Sequence, residues 1–350
     1  MKPAITHLSD RPKGAPALQD SKPSVGSMRA VVQNAYGSSD VLRLGEIDRP
    51  EIAPNEVLVE VVAAGMDRGT WHLMAGKPYL MRIMGYGFRR PKNPVPGLDV
   101  AGTVAAVGSE VTRFQLGDEV FGMSRGSFAE FAAVLEDKLA HKPFGISFEQ
   151  AAVVPISAGT ALQGLRDSGE IESGQTVLVI GASGGVGTYA VQLAKAFGAE
   201  VSGVSSAAKT GLLSSIGADH VIDYTREDYL DGSRRYDLIL DIGGNNSLSR
   251  LRKALTPTGT LVIVGGEERG NLTGGFGRQL RALALSPFVG QRLTMLASKE
   301  RHTDLEALSP FLENGRVVPT IDRTYPLAEV PAAMRHLEAG QARGKIVITI

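Results

Sequence analysis

Short apolar runs that alternate with polar residues and end at turn residues dominate the first part of the chain. This pattern predicts strands at 28–33, 57–62, 100–107, 119–122 and 128–134, and therefore a β-rich domain from residue 28 to about 151. Residues 64–97 show no clear period and hold Trp71, the only tryptophan, together with Tyr79. We expect an irregular loop there, of the length that usually serves a function.

The pattern of apolar and polar residues changes in the middle of the chain. Buried-strand patterns at 176–180, 200–204, 220–222, 236–241, 260–264 and 292–296 alternate with helical patterns, which is typical of a parallel sheet. The last segment, with a predicted helix near 330–339 and a predicted strand at 345–350, resembles the first part of the chain again. We therefore expect a domain of residues 152–299 inserted into a domain of residues 28–151 and 300–350.

Composition removes several classes of function. Residues 1–27 contain four prolines among polar residues, which predicts a flexible tail. The 37 basic side chains equal the 37 acidic ones, and no apolar run approaches a membrane span, so nothing favours nucleic acid or membrane as a partner. The absence of cysteine excludes disulfides and thiolate chemistry and suits a cytoplasmic protein.

The most informative stretch is Thr-Val-Leu-Val-Ile-Gly-Ala-Ser-Gly-Gly-Val-Gly at 176–187, a strand that enters a turn of small residues before a helix. This context is typical of a dinucleotide site, where small residues admit the pyrophosphate to a helix N-terminus. Ala182 replaces the first glycine of the usual pattern. The turn residues are Ala182, Ser183, Gly184, Gly185, Val186 and Gly187. The alternative is a structural turn without ligand.

The segment after the second strand of the parallel sheet predicts which cofactor is bound. An acid about 20 residues beyond the glycine turn usually holds a free ribose 2′-hydroxyl. Residues 201–218 contain no acid, and their one charged side chain is Lys209 beside Ser205 and Ser206. Hydroxyls and an ammonium suit a 2′-phosphate, so we predict NADPH. The alternative is an ordinary helix start capped by Ser206.

Several motifs in order resemble the medium-chain dehydrogenase/reductase superfamily, and within it the zinc-independent quinone oxidoreductase branch. The resemblance implies an α/β protein with a chaperonin-10-like β-rich catalytic domain and an inserted Rossmann domain, a doubly wound parallel sheet. It also implies a cleft between the domains and a homodimer joined near 292–296. The motifs lie at 96–104, 107–108, 117–120, 127–131, 158–162, 184–187, 198–199 and 343–345.

The superfamily includes zinc enzymes, so the metal positions need separate comparison. Where those relatives carry Cys, His and Cys ligands, this sequence aligns Asp67, Leu98 and Ile156. A catalytic zinc needs about three protein ligands, and two of these side chains have no lone pair. We therefore predict that no zinc is bound.

The resemblance also implies contacts with the cofactor. Ser206, Lys209 and Tyr224 would surround the 2′-phosphate. For Arg68 and for Lys345 the alternatives are a solvated surface arginine and a surface lysine that begins an edge strand. The remaining implied contacts, near the nicotinamide, pyrophosphate or cleft, are Thr160, Gly243, Gly265, Gly266, Arg68 and Lys345.

The family's catalytic loop Asn-x-x-Asp, followed in some members by Tyr, aligns with Asp67, Thr70 and His72. These three are the candidate catalytic residues, with His72 as hydrogen-bond donor or general acid. The alternative is that His72 fixes the loop by bonding to the backbone. Trp71 and Tyr79 are expected to form apolar walls of the substrate pocket.

Hydride transfer to a quinone, an α,β-unsaturated carbonyl, an aldehyde or a ketone is the function that these features favour. Such an enzyme would take a small-molecule substrate and NADPH. Because the catalytic loop departs from the family pattern, a catalytically weak NADPH-binding sensor or interaction protein is the alternative.

Overall fold

The computed structural model describes residues 26–265 and 276–350, so most of the predicted tail lies outside the described residues. Strands of the described chain form two large sheets and a separate two-stranded ribbon. The strands of one large sheet all lie between 176 and 295 in sequence, and those of the other lie on both sides of that range. This is the insertion that the sequence pattern predicts, although the domain boundaries at 151/152 and 299/300 stay predictions.

The ribbon comes from the start of the described chain, and the β-rich sheet combines strands from both ends of it. In the strand Glu56–Met66, Val57, Val59 and Val61 are buried at alternate positions, as a strand with one face on a core requires. The ribbon pairs β1 (Ser27–Val32) with β2 (Arg43–Asp48), and the sheet contains β3 (Glu56–Met66), β4 (Asp99–Val107), β5 (Glu119–Met123), β6 (Phe131–Leu135), β7 (Leu139–His141), β14 (Ile321–Pro326) and β15 (Lys345–Thr349). Its order is β14-β15-β3-β4-β5-β7, and β6 pairs with β3.

The second sheet is parallel throughout. Its strands are β8 (Thr176–Ile180), β9 (Glu200–Ser205), β10 (His220–Asp223), β11 (Tyr236–Asp241), β12 (Leu255–Ile263) and β13 (Arg292–Met295). They lie in the order β10-β9-β8-β11-β12-β13. The order therefore reverses between β8 and β11, and ligands of open parallel sheets bind in the crevice outside the strand ends at such a point.

Helices cover both sheets and connect them. One hydrophobic core joins Ala63 and Val347 of the β-rich sheet to Val179 of the parallel sheet and to Ala190 of α4. None of the helices in the described ranges combines the length and the apolar character that crossing a bilayer needs. The helices are α1 (Arg68–Ala75), α2 (Phe148–Ala152), α3 (Pro155–Gln163), α4 (Gly185–Ala196), α5 (Thr210–Ser215), α6 (Leu248–Lys253), α7 (Phe276–Leu285), α8 (His302–Glu313) and α9 (Val330–Glu338).

The expectation of an irregular loop over 64–97 is wrong at its start, where β3 continues to Met66 and α1 follows. The first turn of α1 contains Gly69 and Thr70, which have low helix propensity, and this hid the helix in the sequence. The Asp67 side chain caps its N-terminus, and Gly76, at φ 61°, ends it in the left-handed conformation.

Candidate functional site

A cavity of about 280 Å³ lies between the two sheets, at the switch point of the parallel sheet. Its lining combines the turn after β8, the turn after β11, the start of α1 and the start of β15. The structure thus brings together many of the residues that the sequence predicts for the cofactor: Arg68, Ser183, Gly184, Gly185, Val186, Lys209, Gly243 and Lys345, together with the predicted catalytic residue Asp67.

The glycine turn has the geometry that a pyrophosphate needs. Gly181 has φ +83°, and a Cβ on Gly187 would lie 2.2 Å from the Gly181 carbonyl oxygen, so only glycine allows α4 to begin this close to β8. Gly184 precedes α4 without a side-chain cap. The first N–H groups of a helix have no intrahelical acceptor, so those of α4 suit phosphate oxygens.

Ala182 is the one turn residue whose predicted role needs correction. Its side chain is fully buried, and its N–H donates to the Val204 carbonyl at 3.1 Å, so neither faces the cleft. The sharp turn is made by Gly181, which the sequence analysis missed. The signal was present as glycines at 181, 184 and 187, spaced by three.

The residues predicted for the 2′-phosphate gather at the ends of β9 and β10. Ser206 precedes a short helical turn at Ala207–Lys209, but its side chain makes no capping bond, which does not support the alternative of a simple helix cap. Tyr224 is 56% exposed and its N–H donates to the Ser205 carbonyl. The Lys209 ammonium donates to the carbonyls of Gly340 and Ala342, across the cavity. Ser205 itself is buried, and its hydroxyl donates to the Ser206 carbonyl.

Lys345 is buried at the floor of the cavity, with 1% of its surface exposed. Its ammonium donates to Asp99 Oδ2 at 3.2 Å and to Ser157 Oγ at 3.0 Å, and lies 3.9 Å from Asp67 Oδ2. The alternative of a surface lysine on an edge strand is therefore wrong. Strand β14, whose sequence Ile-Asp-Arg-Thr-Tyr-Pro gave no strand signal, pairs with β15 and makes it an inner strand.

Asp99 is the fully buried acid of this group. Burial raises the pKa of its carboxyl, the Lys345 ammonium opposes that rise, and the nearby Asp67 adds to it. The resulting pKa is about 7. The Ile156 N–H donates to Asp99 Oδ1 at 2.8 Å and fixes the carboxylate. Asp99 lies within the motif at 96–104, and the sequence pattern indicated no role for it.

The three candidate catalytic residues make structural contacts. Asp67 Oδ1 accepts from the Thr70 N–H at 2.8 Å and from the Thr70 hydroxyl at 3.1 Å. Thr70 is fully buried. The Nδ1–H of His72 donates to the Lys77 carbonyl at 2.8 Å, which supports the alternative that His72 fixes this segment. Catalytic roles for these side chains stay predictions.

A second cavity, of about 200 Å³, lies on the other side of α1. Asp67, the N-cap of α1, and Arg68 line the first cavity, whereas Gly69 and Leu73 of α1 line the second. The wall is mainly apolar and includes several polar side chains. The apolar residues include Leu73, Met81, Tyr86, Val95 and Leu98, and the polar ones Gln33, Lys92, Asn93, Arg125 and Glu300.

Trp71 and Tyr79, the predicted walls of the substrate pocket, are not among the residues that line this cavity. The Trp71 indole N–H donates to Glu338 Oε1 at 2.9 Å, and its ring packs against a hydrophobic core. Tyr79 is 39% exposed and lies below the Arg82 guanidinium. Met81 and Tyr86, from the same segment, line the cavity instead. Which side chains of this segment point inward depends on its backbone conformation, which the sequence pattern does not show.

Among the remaining predicted cofactor contacts, Thr160 and Gly265 are not lining residues of the first cavity. The Thr160 hydroxyl donates to the Ile156 carbonyl at 2.6 Å, and Thr160 lines a separate, small cavity. Arg68 lies over the Trp71 ring at 5.4 Å. Gly266 lies outside the described residues, whereas the carbonyl of Gly265 accepts from Arg278.

Asp241 and Arg278 form a buried ion pair at the end of β11 that the sequence analysis missed. Arg278 donates to Asp241 Oδ2 at 2.6 Å and to the carbonyls of Asn246 and Gly265. Burial raises the pKa of the Asp241 carboxyl, and Arg278 opposes that rise. The Gly244 N–H donates to Asp241 Oδ1, so the pair holds the turn after β11 in place.

The residues at the aligned zinc positions do not fit a catalytic zinc. Leu98 and Ile156 offer no lone pair, and one oxygen of Asp67 is committed to the α1 cap. Within 26–265 and 276–350, no three His, Cys, Asp or Glu side chains are close enough to hold a metal ion.

The cleft, the glycine turn and the adjoining apolar cavity together define the class of dinucleotide-dependent oxidoreductases. Residues 53–144 match the family model described as alcohol dehydrogenase GroES-like domain, and residues 216–348 match the model described as zinc-binding dehydrogenase. The second match excludes the positions of Asp67, Leu98 and Ile156, so its description brings no zinc ligand to this chain.

Similar proteins agree with these matches over nearly the whole chain. A 2-methylene-furan-3-one reductase of Solanum lycopersicum is 37% identical, over 92% of this chain and 79% of the relative. A chloroplastic NADPH-dependent alkenal/one oxidoreductase of Arabidopsis thaliana is 35% identical, with the same coverage. The Escherichia coli quinone oxidoreductase structure in complex with NADPH has a TM-score of 0.78 and 27% identity, over 92% of this chain and 100% of that one.

The chain belongs to the medium-chain dehydrogenase/reductase superfamily. The predicted fold class, a chaperonin-10-like β-rich domain with an inserted Rossmann sheet, is confirmed. The protein is an oxidoreductase of that superfamily.

Proposed function

We propose that this protein is a zinc-independent, NADPH-dependent reductase that transfers hydride to a quinone, an α,β-unsaturated carbonyl, an aldehyde or a ketone. The observation that carries the proposal is the glycine turn, which opens on a cleft next to a mainly apolar cavity. An apolar cavity with a few polar groups is the usual form of a small-molecule site.

NADPH as the cofactor is supported by the residues and by the relatives. Ser206 and Lys209 would contact the 2′-phosphate, and residues 201–218 contain no acid that would repel it. The Arabidopsis relative is named NADPH-dependent, and the Escherichia coli structure holds NADPH. When bound, NADPH supplies a hydride from its nicotinamide ring.

The chain's own groups would perform binding, orientation and exclusion of water. The N-terminus of α4 would bind the pyrophosphate, and Gly243 and Gly265 would line the cleft further along. On the other side of α1, Leu73 and Leu98 would keep water away from the acceptor. His72 stays the proposed proton donor, although it is not among the described residues that line either cavity. Because its Nδ1–H is bonded to the Lys77 carbonyl, it would act through Nε2.

Oxidation of NADPH in the presence of a panel of quinones, enones, aldehydes and ketones tests the proposal. We expect turnover with at least one acceptor class, and slower turnover with NADH than with NADPH. Tight NADPH binding without turnover on any acceptor would refute the reductase and favour the sensor. The sensor has one observation in its support, since Thr70 and His72 are both bonded to other parts of the protein.

A homodimer joined at β13 is proposed for the assembly. In the described chain β13 is the last strand of the parallel sheet, and Leu280 and Phe288 beside it are exposed. Light scattering after size exclusion should give twice the monomer mass, and Leu280→Glu with Phe288→Glu should reduce it. A monomeric wild type would contradict the proposal. Cytoplasmic localisation is likewise a proposal, since the Arabidopsis relative is named chloroplastic.

A further inference from the structure

Asp67 has one carboxylate oxygen that the cap of α1 does not use. Oδ1 accepts both bonds from Thr70, whereas Oδ2 is buried without a hydrogen-bond partner among the described residues. Asp67 as a whole is 8% exposed, and it lines the cofactor cleft. A buried carboxylate oxygen without a donor is costly unless a ligand or a charge compensates it.

The surrounding charges compensate Asp67 only in part. The Lys345 ammonium is 3.9 Å from Oδ2, beyond hydrogen-bond distance, and its bonds go to Asp99 and Ser157. The ammonium therefore lies beside two carboxyl groups and donates to only one of them. The other cations of the cleft are directed elsewhere, because Arg68 lies over Trp71 and Lys209 binds carbonyls across the cavity.

The position of Asp67 is as informative as its charge. It caps α1, the helix between the first and the second cavity. A Cβ two residues later, on Gly69, would lie 3.1 Å from Leu98 Cδ1, and Leu98 lines the second cavity. Hydride transfer requires the reactive ring of the cofactor to reach the acceptor. The ring must therefore lie where the two cavities adjoin, which is where Asp67 stands.

We propose that the Asp67 carboxylate sets the relative affinity of this protein for oxidised and reduced cofactor by favouring the cationic nicotinamide ring of NADP⁺. This inference rests on the proposed function. NADPH and NADP⁺ differ in charge only at the ring, so contacts with phosphates and ribose cancel when the two dissociation constants are compared. A unit charge about 10 Å away, at an effective dielectric constant of about 20, changes such a ratio by about tenfold.

Binding constants of Asp67→Asn for both cofactors test the inference without any turnover. Asparagine keeps the helix cap and removes the charge. We expect the ratio Kd(NADP⁺)/Kd(NADPH), measured by titration calorimetry, to rise about tenfold relative to wild type. Asp67→Ser removes the same charge, is an equally good cap, and replaces Asp67→Asn if that variant does not fold.

Glu338→Gln is the matched control. It removes one negative charge beside the cleft, from an exposed side chain, and keeps an oxygen for the Trp71 N–H. Its ratio should stay within twofold of wild type. A structural role for Asp67 would weaken both cofactors equally, so an unchanged ratio in Asp67→Asn refutes the inference. Wild-type protein that binds neither cofactor would instead refute the proposed function.

Discussion

Replacing Gly187 by alanine adds one methyl group and tests whether the turn after β8 binds the pyrophosphate. A Cβ on Gly187 would lie 2.2 Å from the Gly181 carbonyl oxygen and 2.6 Å from the Ala182 Cα. Both are backbone atoms of the turn after β8, so relief requires α4 to move away from the sheet. Overpacking of this kind costs about 1–3 kcal/mol of folding free energy. The same movement displaces the N–H groups proposed to bind the pyrophosphate.

Thermal unfolding with and without NADPH separates these two effects of Gly187→Ala. At a concentration of about 100 times the wild-type Kd, NADPH should stabilise the wild type by about 2.7 kcal/mol. If the variant binds about 100-fold more weakly, this falls to about 0.4 kcal/mol. Gly211→Ala is the matched control, because a Cβ at Gly211, in α5, meets nothing within 4 Å. Undiminished stabilisation of Gly187→Ala by NADPH would refute the phosphate-binding role of this turn.

Three further predictions concern other buried or cofactor-facing groups. Arg278→Ala leaves Asp241 buried and unpaired, so the thermal midpoint should fall on the order of 10 °C; a fall no larger than that of Arg281→Ala, on the exposed side of the same helix, would contradict the role of the pair. The folded protein holds a proton on Asp99 up to about pH 7 that the unfolded chain loses near pH 4, so stability should decrease from pH 5 to pH 8. In the wild type the free energy of unfolding, measured with urea, should fall by on the order of 2–3 kcal/mol over this pH range, and the fall should be smaller in Asp99→Asn. An equal fall in both proteins would be incompatible with the raised pKa. Ser206→Asp should weaken NADPH at least tenfold in a binding titration and leave NADH nearly unchanged, whereas equal weakening of both would argue against a 2′-phosphate at Ser206.

Local pattern was enough for most of the fold. Strands β8 and β11 are mainly apolar runs that end at a glycine or polar turn, and both were predicted with their observed bounds. Helix α1 and strand β14 were missed for one physical reason. Their local signals are weak, because α1 begins with Gly69 and Thr70, which have low helix propensity, and β14 shows no clear alternation of apolar and polar residues.

The site was predictable where it depends on local backbone and less so where it depends on distant contacts. The glycine turn could be found from spacing alone, and the spacing of the glycines at 181, 184 and 187 also indicates Gly181. The burial of Lys345 depends on Asp99, 246 residues away in sequence, and on the position of β15 inside the sheet. No local pattern distinguishes such a lysine from one at the surface.

The hydrophobic core that runs through both sheets restricts how a dinucleotide reaches its cleft. Moving the sheets apart as two rigid bodies would expose Ala63, Val347 and Val179 to water, at a cost proportional to the apolar area uncovered. Opening at the rim would instead break the bonds from Lys209 to the carbonyls of Gly340 and Ala342. We therefore expect exchange of oxidised for reduced cofactor to need local opening at this rim, without separation of the two sheets.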